Sequence, residues 1–114
     1  MLWHLVLLKP RADLTDAQRH ALVDTFTDGV RRIPQVRDVK VGKRVTHGAG
    51  YERGMPDAAD YLLLLGFDDL AGLQAYLQHP AHAAIGARFA DSLSAAFVYD
   101  FEVGDIDTLA RLVP

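Results

Sequence analysis

Apolar positions along the chain follow two rhythms, and the changes between them mark its elements. Leu2 to Leu8 is nearly continuous apolar sequence, interrupted by His4 and closed by Lys9-Pro10. A short apolar run bounded by proline predicts a strand. Leu22, Phe26, Val30 and Ile33 then recur at helical spacing and predict an amphipathic helix over about residues 15–32. Thr15-Asp16-Ala17-Gln18 marks its start as a capping box, in which the threonine and glutamine side chains reciprocally satisfy free N–H groups. Pro34 stops it. Val36 to Val45 alternates weakly, Val39 and Val41 against Asp38 and Lys40, as a half-buried strand does. Residues 47–57 hold three glycines and a proline and read as a mobile loop.

The second half repeats the alternation. Tyr61 to Phe67 is another almost wholly apolar strand. Asp68 or Asp69 caps a helix that carries Leu70, Leu73 and Leu77 on one face. Pro80 breaks that helix, because proline disfavours helical geometry at His79 and suits the first position of a new helix. His82, Ile85 and Phe89 share a face beyond the break. Ala95 to Val103 is the last strand, with Phe97, Tyr99 and Phe101 on one side and Val98, Asp100 and Glu102 on the other. Ile106, Leu109 and Leu112 predict a short helical turn in the tail.

The order is strand, helix, strand, strand, broken helix, strand. It predicts an α+β chain of the ferredoxin-like β-α-β-β-α-β plan, one sheet with its helices on a single face. A domain over residues 1–104 and a C-terminal tail over 105–114 follow. The first and third strands are apolar on both faces, and helices cover only one. A second copy of the same sheet is the simplest cover for the other, so the chain is expected to form a homodimer whose facing sheets make a barrel. Trp3, Leu5 and Leu7 would lie on that outer face with Leu62, Leu64, Phe97, Tyr99 and Phe101.

Composition narrows the partners. Twelve basic residues against fifteen acidic give a net charge of −3, so no basic excess exists to neutralise a phosphate backbone, and nucleic acid is excluded as an expected partner. The absence of cysteine removes disulfides, thiolate metal sites and thiol nucleophiles together. The apolar lead Met1–Lys9 is too short for a signal-peptide core with its cleavage site, and no run approaches the ~20 apolar residues of a membrane helix. A cytoplasmic protein without membrane contact is the expectation.

Candidate chemistry gathers at Tyr76-Leu77-Gln78-His79-Pro80-Ala81-His82. His82 falls in the first turn of the helix opened by Pro80, where free N–H groups and the positive dipole end oppose protonation of an imidazole. A neutral imidazole is a base or a hydrogen-bonding group. Each residue also has a plainer reading. His82 can bond a loop carbonyl, Tyr76 can be a packing tyrosine, and His4, on the face of Val6 and Leu8, can be a satisfied core histidine. His79, at the helix N-cap, is expected to serve the turn through a ring-to-backbone bond. No metal site is expected from His4, His47, His79 and His82, since no carboxylate clearly completes one. Gly48-Ala49-Gly50 lacks the lysine and setting of a phosphate-binding loop and reads as flexible, a lid at most.

With His4 in the first strand, Tyr-x-x-His-Pro-x-His between the helices and Val98-Tyr99-Asp100-Phe101 in the last strand, the chain resembles the stress-responsive A/B barrel (Dabb) family from Trp3 to about Val103. The resemblance implies the dimeric barrel. Through a plant polyketide cyclase of that family, it also implies aldol ring closure without metal or organic cofactor. The essential histidine and tyrosine of that cyclase match His82 and Tyr76, and a first-strand histidine matches His4. Where it has a histidine at the start of its third strand, this chain has Tyr61. Where it has a tyrosine on the first helix, this chain has Phe26. The binding end therefore differs.

Strand and helix phase, supported by that match, place a pocket between helices and sheet. Its expected walls are His4, Leu22, Phe26, Tyr61, Leu63, Ile85 and Val98, around catalytic Tyr76 and His82. Two functions compete. One is a cofactor-independent cyclase or lyase acting on polyketide-like or aromatic carbonyl substrates, with His82 as general base and Tyr76 as donor to the carbonyl oxygen. The other is a non-catalytic stress-response barrel that binds or excludes small apolar molecules.

Overall fold

The computed structural model describes residues 1–113, so Pro114, the last residue of the expected tail, lies outside the described residues. Four strands, β1 (Leu2–Pro10), β2 (Asp38–Lys43), β3 (Tyr61–Phe67) and β4 (Leu93–Glu102), form one antiparallel sheet in the order β2-β3-β1-β4. Helix α1 (Asp16–Arg31) connects β1 to β2. Helices α2 (Leu70–Gln78) and α3 (Pro80–Ser92) connect β3 to β4. This is the ferredoxin-like arrangement, with the second helix divided at Pro80.

Local chemistry sets the element ends. Thr15 Oγ1 accepts from the Gln18 N–H at 3.1 Å and the Gln18 side chain accepts from the Thr15 N–H at 2.8 Å, closing the capping box of α1. Asp69 caps α2 by accepting from the Gly72 N–H at 2.8 Å. At the break, His79 has extended backbone (φ −71°, ψ 140°), as a residue before proline prefers, and Pro80 opens α3. The loop after β2 folds part of itself into a 3-10 turn, Gly50–Gly54, with the Glu52 carboxylate accepting from the N–H groups of His47 and Ala49. The tail forms another 3-10 turn, Ile106–Thr108, and then α4 (Leu109–Leu112), at the place its apolar spacing predicts.

Register divides the sheet into two faces. On the helix side His4 pairs with Leu65 and Asp100, and Val6 with Leu63 and Val98. Val6, Leu8, Leu63, Leu65 and Phe67 are buried there against Leu73 and Tyr76 of α2, with Phe26 and Val30 of α1 and Phe89 of α3 packed around them. Helices α1 and α3 approach closely at Gly29, where an added Cβ would stand 2.6 Å from Cδ1 of Ile85. A side chain at position 29 would have to displace the end of the Ile85 side chain.

Two expectations are corrected by this packing. The inward face of α2 consists of Leu73 and Tyr76, while Leu70 and Leu77 stay exposed, because the tyrosine ring takes the position over the sheet. Val41 is exposed although it points to the helix side, because edge strand β2 extends past the cover of the helices.

On the opposite face Trp3 pairs with Gly66 and Phe101, Leu5 with Leu64 and Tyr99, and Leu7 with Leu62 and Phe97. The Trp3 ring lies on Gly66, 3.1 Å from where a Cβ would stand. No helix among the described residues covers this face. Phe97, Tyr99 and Phe101 are exposed, and the strand residues beside them are only half-buried.

Candidate functional site

Three elements bring His4, Tyr76 and His82 into one ring cluster. β1 supplies His4, buried on the helix side; α2 supplies Tyr76, 3% exposed; the first turn of α3 supplies His82, half-buried. The Tyr76 ring lies between the two imidazoles, with centroids 5.7 Å from His4 and 4.8 Å from His82, both edge to face. Phe67 closes its other side at 5.3 Å. The break at Pro80 makes this possible. It lets α2 and α3 change direction between two residues that must both reach the same point.

His4 has a partner that the sequence alone did not reveal. Its Nδ1–H donates to Asp100 Oδ1 at 2.6 Å, across the register that pairs the two residues. The bond fixes the ring's orientation and turns Nε2 away from the carboxylate. The parity of β4 does put Asp100 on the same side as Val98. The missing information is the β1–β4 register, which joins residues 96 positions apart.

His82 is held below histidine's ordinary range, first by burial and second by the nearby His4, while a hydrogen bond to the Leu77 carbonyl acts in the opposite direction. Burial and the neighbouring imidazole, rather than the helix start expected from the sequence, hold it there. A buried site already holding one imidazole disfavours a second positive charge. A neutral imidazole keeps one ring nitrogen with a free lone pair. Burial pushes the Tyr76 phenol up to about 12, so it stays protonated and able to donate. Its hydroxyl has no hydrogen-bond partner among the described residues.

His79 stands apart from this cluster. Its Nδ1 accepts from the Ala81 N–H at 3.0 Å, the ring-to-backbone bond expected of it at the N-cap. His47 is also remote, in the loop after β2, with Nε2 3.1 Å from the Tyr51 hydroxyl. Among the described residues no group of three histidine or carboxylate side chains is placed to hold a metal ion.

The remaining expected wall residues divide. Leu63 and Ile85 are buried in the packed interior, Phe26 stacks on Phe89 at 6.3 Å, and Leu22 is half-buried on α1. Tyr61 and Val98 are open to solvent, Val98 by 52%. Clefts of about 260 Å³ and about 190 Å³ open on the chain. The first includes Tyr61 with Lys43, Arg44 and Asp60; the second lies between α1 and α3. Neither is lined by His4, Tyr76 or His82. The interior beside Tyr76 is occupied by Phe67, Leu65 and Leu73. The open approach is along the helix side of β4, where Val98 and Asp100 remain uncovered next to His4.

A family model described as the stress-responsive A/B barrel domain matches residues 2–103. Olivetolic acid cyclase of Cannabis sativa is 26% identical over 98 residues, which span 86% of this chain and 92% of that protein. The structure of a hydroxynitrile lyase from Passiflora edulis superposes with a TM-score of 0.76 at 12% identity, covering 91% of this chain and 94% of that one. A dimeric ferredoxin-like protein from Thermobifida fusca superposes with a TM-score of 0.70 at 22% identity, covering 90% of each. At these identities the two structures bear on the fold. No helix among the described residues is long and apolar enough to cross a membrane.

Proposed function

The chain belongs to the stress-responsive A/B barrel domain family, and from that premise we propose a homodimer that binds a small carbonyl compound, polyketide-like or aromatic, and converts it by acid–base chemistry without a cofactor. The observation that carries the reading is the placement of Tyr76 between His4 and His82, with its hydroxyl unpartnered among the described residues. The free nitrogen of His82 takes a proton from the carbon alpha to a carbonyl. The Tyr76 hydroxyl donates to the oxygen on which enolate charge develops, in surroundings dry enough to strengthen that bond. After the enolate carbon attacks a second carbonyl, the protonated His82 returns its proton to the new alkoxide. Atoms and charge balance without an oxidant or a metal. Asp100 orients His4, and His4 in turn keeps His82 a base. Ring closure by a relative named olivetolic acid cyclase and cleavage by a neighbour named hydroxynitrile lyase both accord with such a pair.

A second reading, a barrel that binds or excludes small apolar molecules without chemistry, draws on the packed side chains around Tyr76. Synthetic tri- and tetra-β-ketone thioesters, with product followed by mass spectrometry, separate the two. The enzyme should form cyclised product, and His82→Ala should lower turnover by about 10²–10⁴-fold, the usual share of general acid–base catalysis. Tyr76→Phe should cost less. Unchanged turnover in a folded His82→Ala protein rejects the mechanism. Saturable binding without product in the wild type favours the second reading.

A further inference from the structure

We infer that the C-terminal segment from Val103 to Val113 is a clasp that packs on a second copy of this chain, at the rim of the sheet-to-sheet interface. The inference rests on the homodimer proposed above. The outer face of β4 presents Phe97, Tyr99 and Phe101 at a period of two, and Val103 continues the same series, tied to the sheet by its N–H to the Met1 carbonyl at 3.0 Å. The apolar stripe then passes into the helical tail. Ile106 and Leu109 are three residues apart, which places them on one face of a helical turn, and Val113 follows directly after it. Ile106 is 79% exposed and Val113 66%.

The tail's own bonds are local. The Thr108 N–H and hydroxyl both donate to the Asp105 carbonyl, the Val113 N–H to the Leu109 carbonyl, and Arg111 reaches back to Glu102 at 3.2 Å. A four-residue helix has little stability of its own in water, and this one has no apolar body to lie on within its own chain. The dimensions agree. The chain measures 47 × 41 × 16 Å with a radius of gyration of 15.7 Å, where a compact chain of this length has about 13 Å. It is a thin slab with a projecting end.

A second copy is the occupant that the stripe indicates, because the tail prolongs the very surface that the proposed interface uses. A four-stranded sheet with strands near nine residues offers a footprint of roughly 30 by 19 Å. That lies at the low end of what specific interfaces bury, about 800 Å² per partner, so a rim extension adds usefully to it.

The chain has no cysteine, so Ile106→Cys places a single photoreactive benzophenone on it. Irradiation should give a covalent species of twice the chain mass; cross-links confined within one chain overturn the clasp. In parallel, Ile106→Asp/Leu109→Asp should raise the dimer dissociation constant in sedimentation equilibrium at least about tenfold, with an unchanged circular dichroism spectrum. An unchanged constant in that variant also overturns it, while leaving the sheet dimer standing. A wild-type chain that stays monomeric at micromolar concentration removes the dimer and the clasp together. Phe101→Asp, on the sheet itself, tests the dimer separately and should yield monomers.

Discussion

The two faces of the sheet share strands β1, β3 and β4, with similar apolar content on each. On the helix side, Leu63, Leu65 and Phe67 are closed off by helices, and the polar groups that enter are paired or held in the ring cluster. On the outer side, Leu62, Leu64, Phe97, Tyr99 and Phe101 find no cover in their own chain. Polar chemistry is confined to the face that the chain can finish by itself, where burial keeps Tyr76 protonated and His82 neutral. On the other face Asp38 and Lys40 carry charge on edge strand β2, and the strands beside them are largely apolar. Alternate residues of one strand thus carry the ring cluster and the uncovered apolar surface separately.

Adjacent residues of β3 test that division most severely. Leu65 is fully buried on the helix side, and Leu65→Asp should unfold the chain, since it puts a carboxylate into the packed interior beside a histidine already paired with Asp100. Leu64, one position earlier, is half-buried on the outer face. Leu64→Asp should leave a folded monomer, with helical and strand circular dichroism retained and sedimentation at half the wild-type mass. If both variants unfold alike, the outer face is needed for the fold itself, and the distinction between the faces fails.

Much of this division is legible in the sequence, and the gaps have physical causes. The period-two pattern of β1 and β4 separates His4 from Trp3 and Val98 from Phe97 correctly, because one strand's parity is a local property. The capping box at Thr15 and the break at Pro80 are legible for the same reason. The His4–Asp100 bond is not, since it depends on how two distant strands align. The exposure of Leu70 and Leu77 is not legible either, because hydropathy ranks them above the tyrosine whose large ring the helix places over the sheet. The filling of the space beside Tyr76 is a matter of side-chain volumes, which periodicity does not measure.

The dependence of stability on pH sharpens the account of the helix-side face. Tyr76 is raised from 10.0 to about 12 in the folded chain, so its contribution is complete below pH 10 and is lost as pH rises towards 12. The two-unit difference corresponds to roughly 2–3 kcal/mol. His82 is depressed from 6.5, so the unfolded chain takes up its proton first as pH falls. Stability therefore declines below about pH 6.5 and levels off once the folded state is protonated as well. Urea unfolding across pH should show both limbs. Tyr76→Phe should flatten the alkaline limb and His82→Gln the acid one, and an alkaline limb unchanged in Tyr76→Phe would mean that the buried ring does not titrate as described.

The smallest effect belongs to His79, which lies beside the site in sequence and outside it in space. Its Nδ1 satisfies the Ala81 N–H, one of the free donors at the start of α3, and its ring is absent from the cluster around Tyr76. Losing an N-cap acceptor costs about 0.5–2 kcal/mol. His79→Ala should therefore lower the thermal midpoint by several degrees for a domain of this size, with turnover per folded molecule unchanged. His79→Asn, which offers an oxygen in place of the ring nitrogen, should restore most of the loss. A fall in turnover of the size expected for His82→Ala, in a His79→Ala protein that is fully folded, would move His79 from the helix cap into the chemistry. It would also show that the break at Pro80 does more than turn the chain.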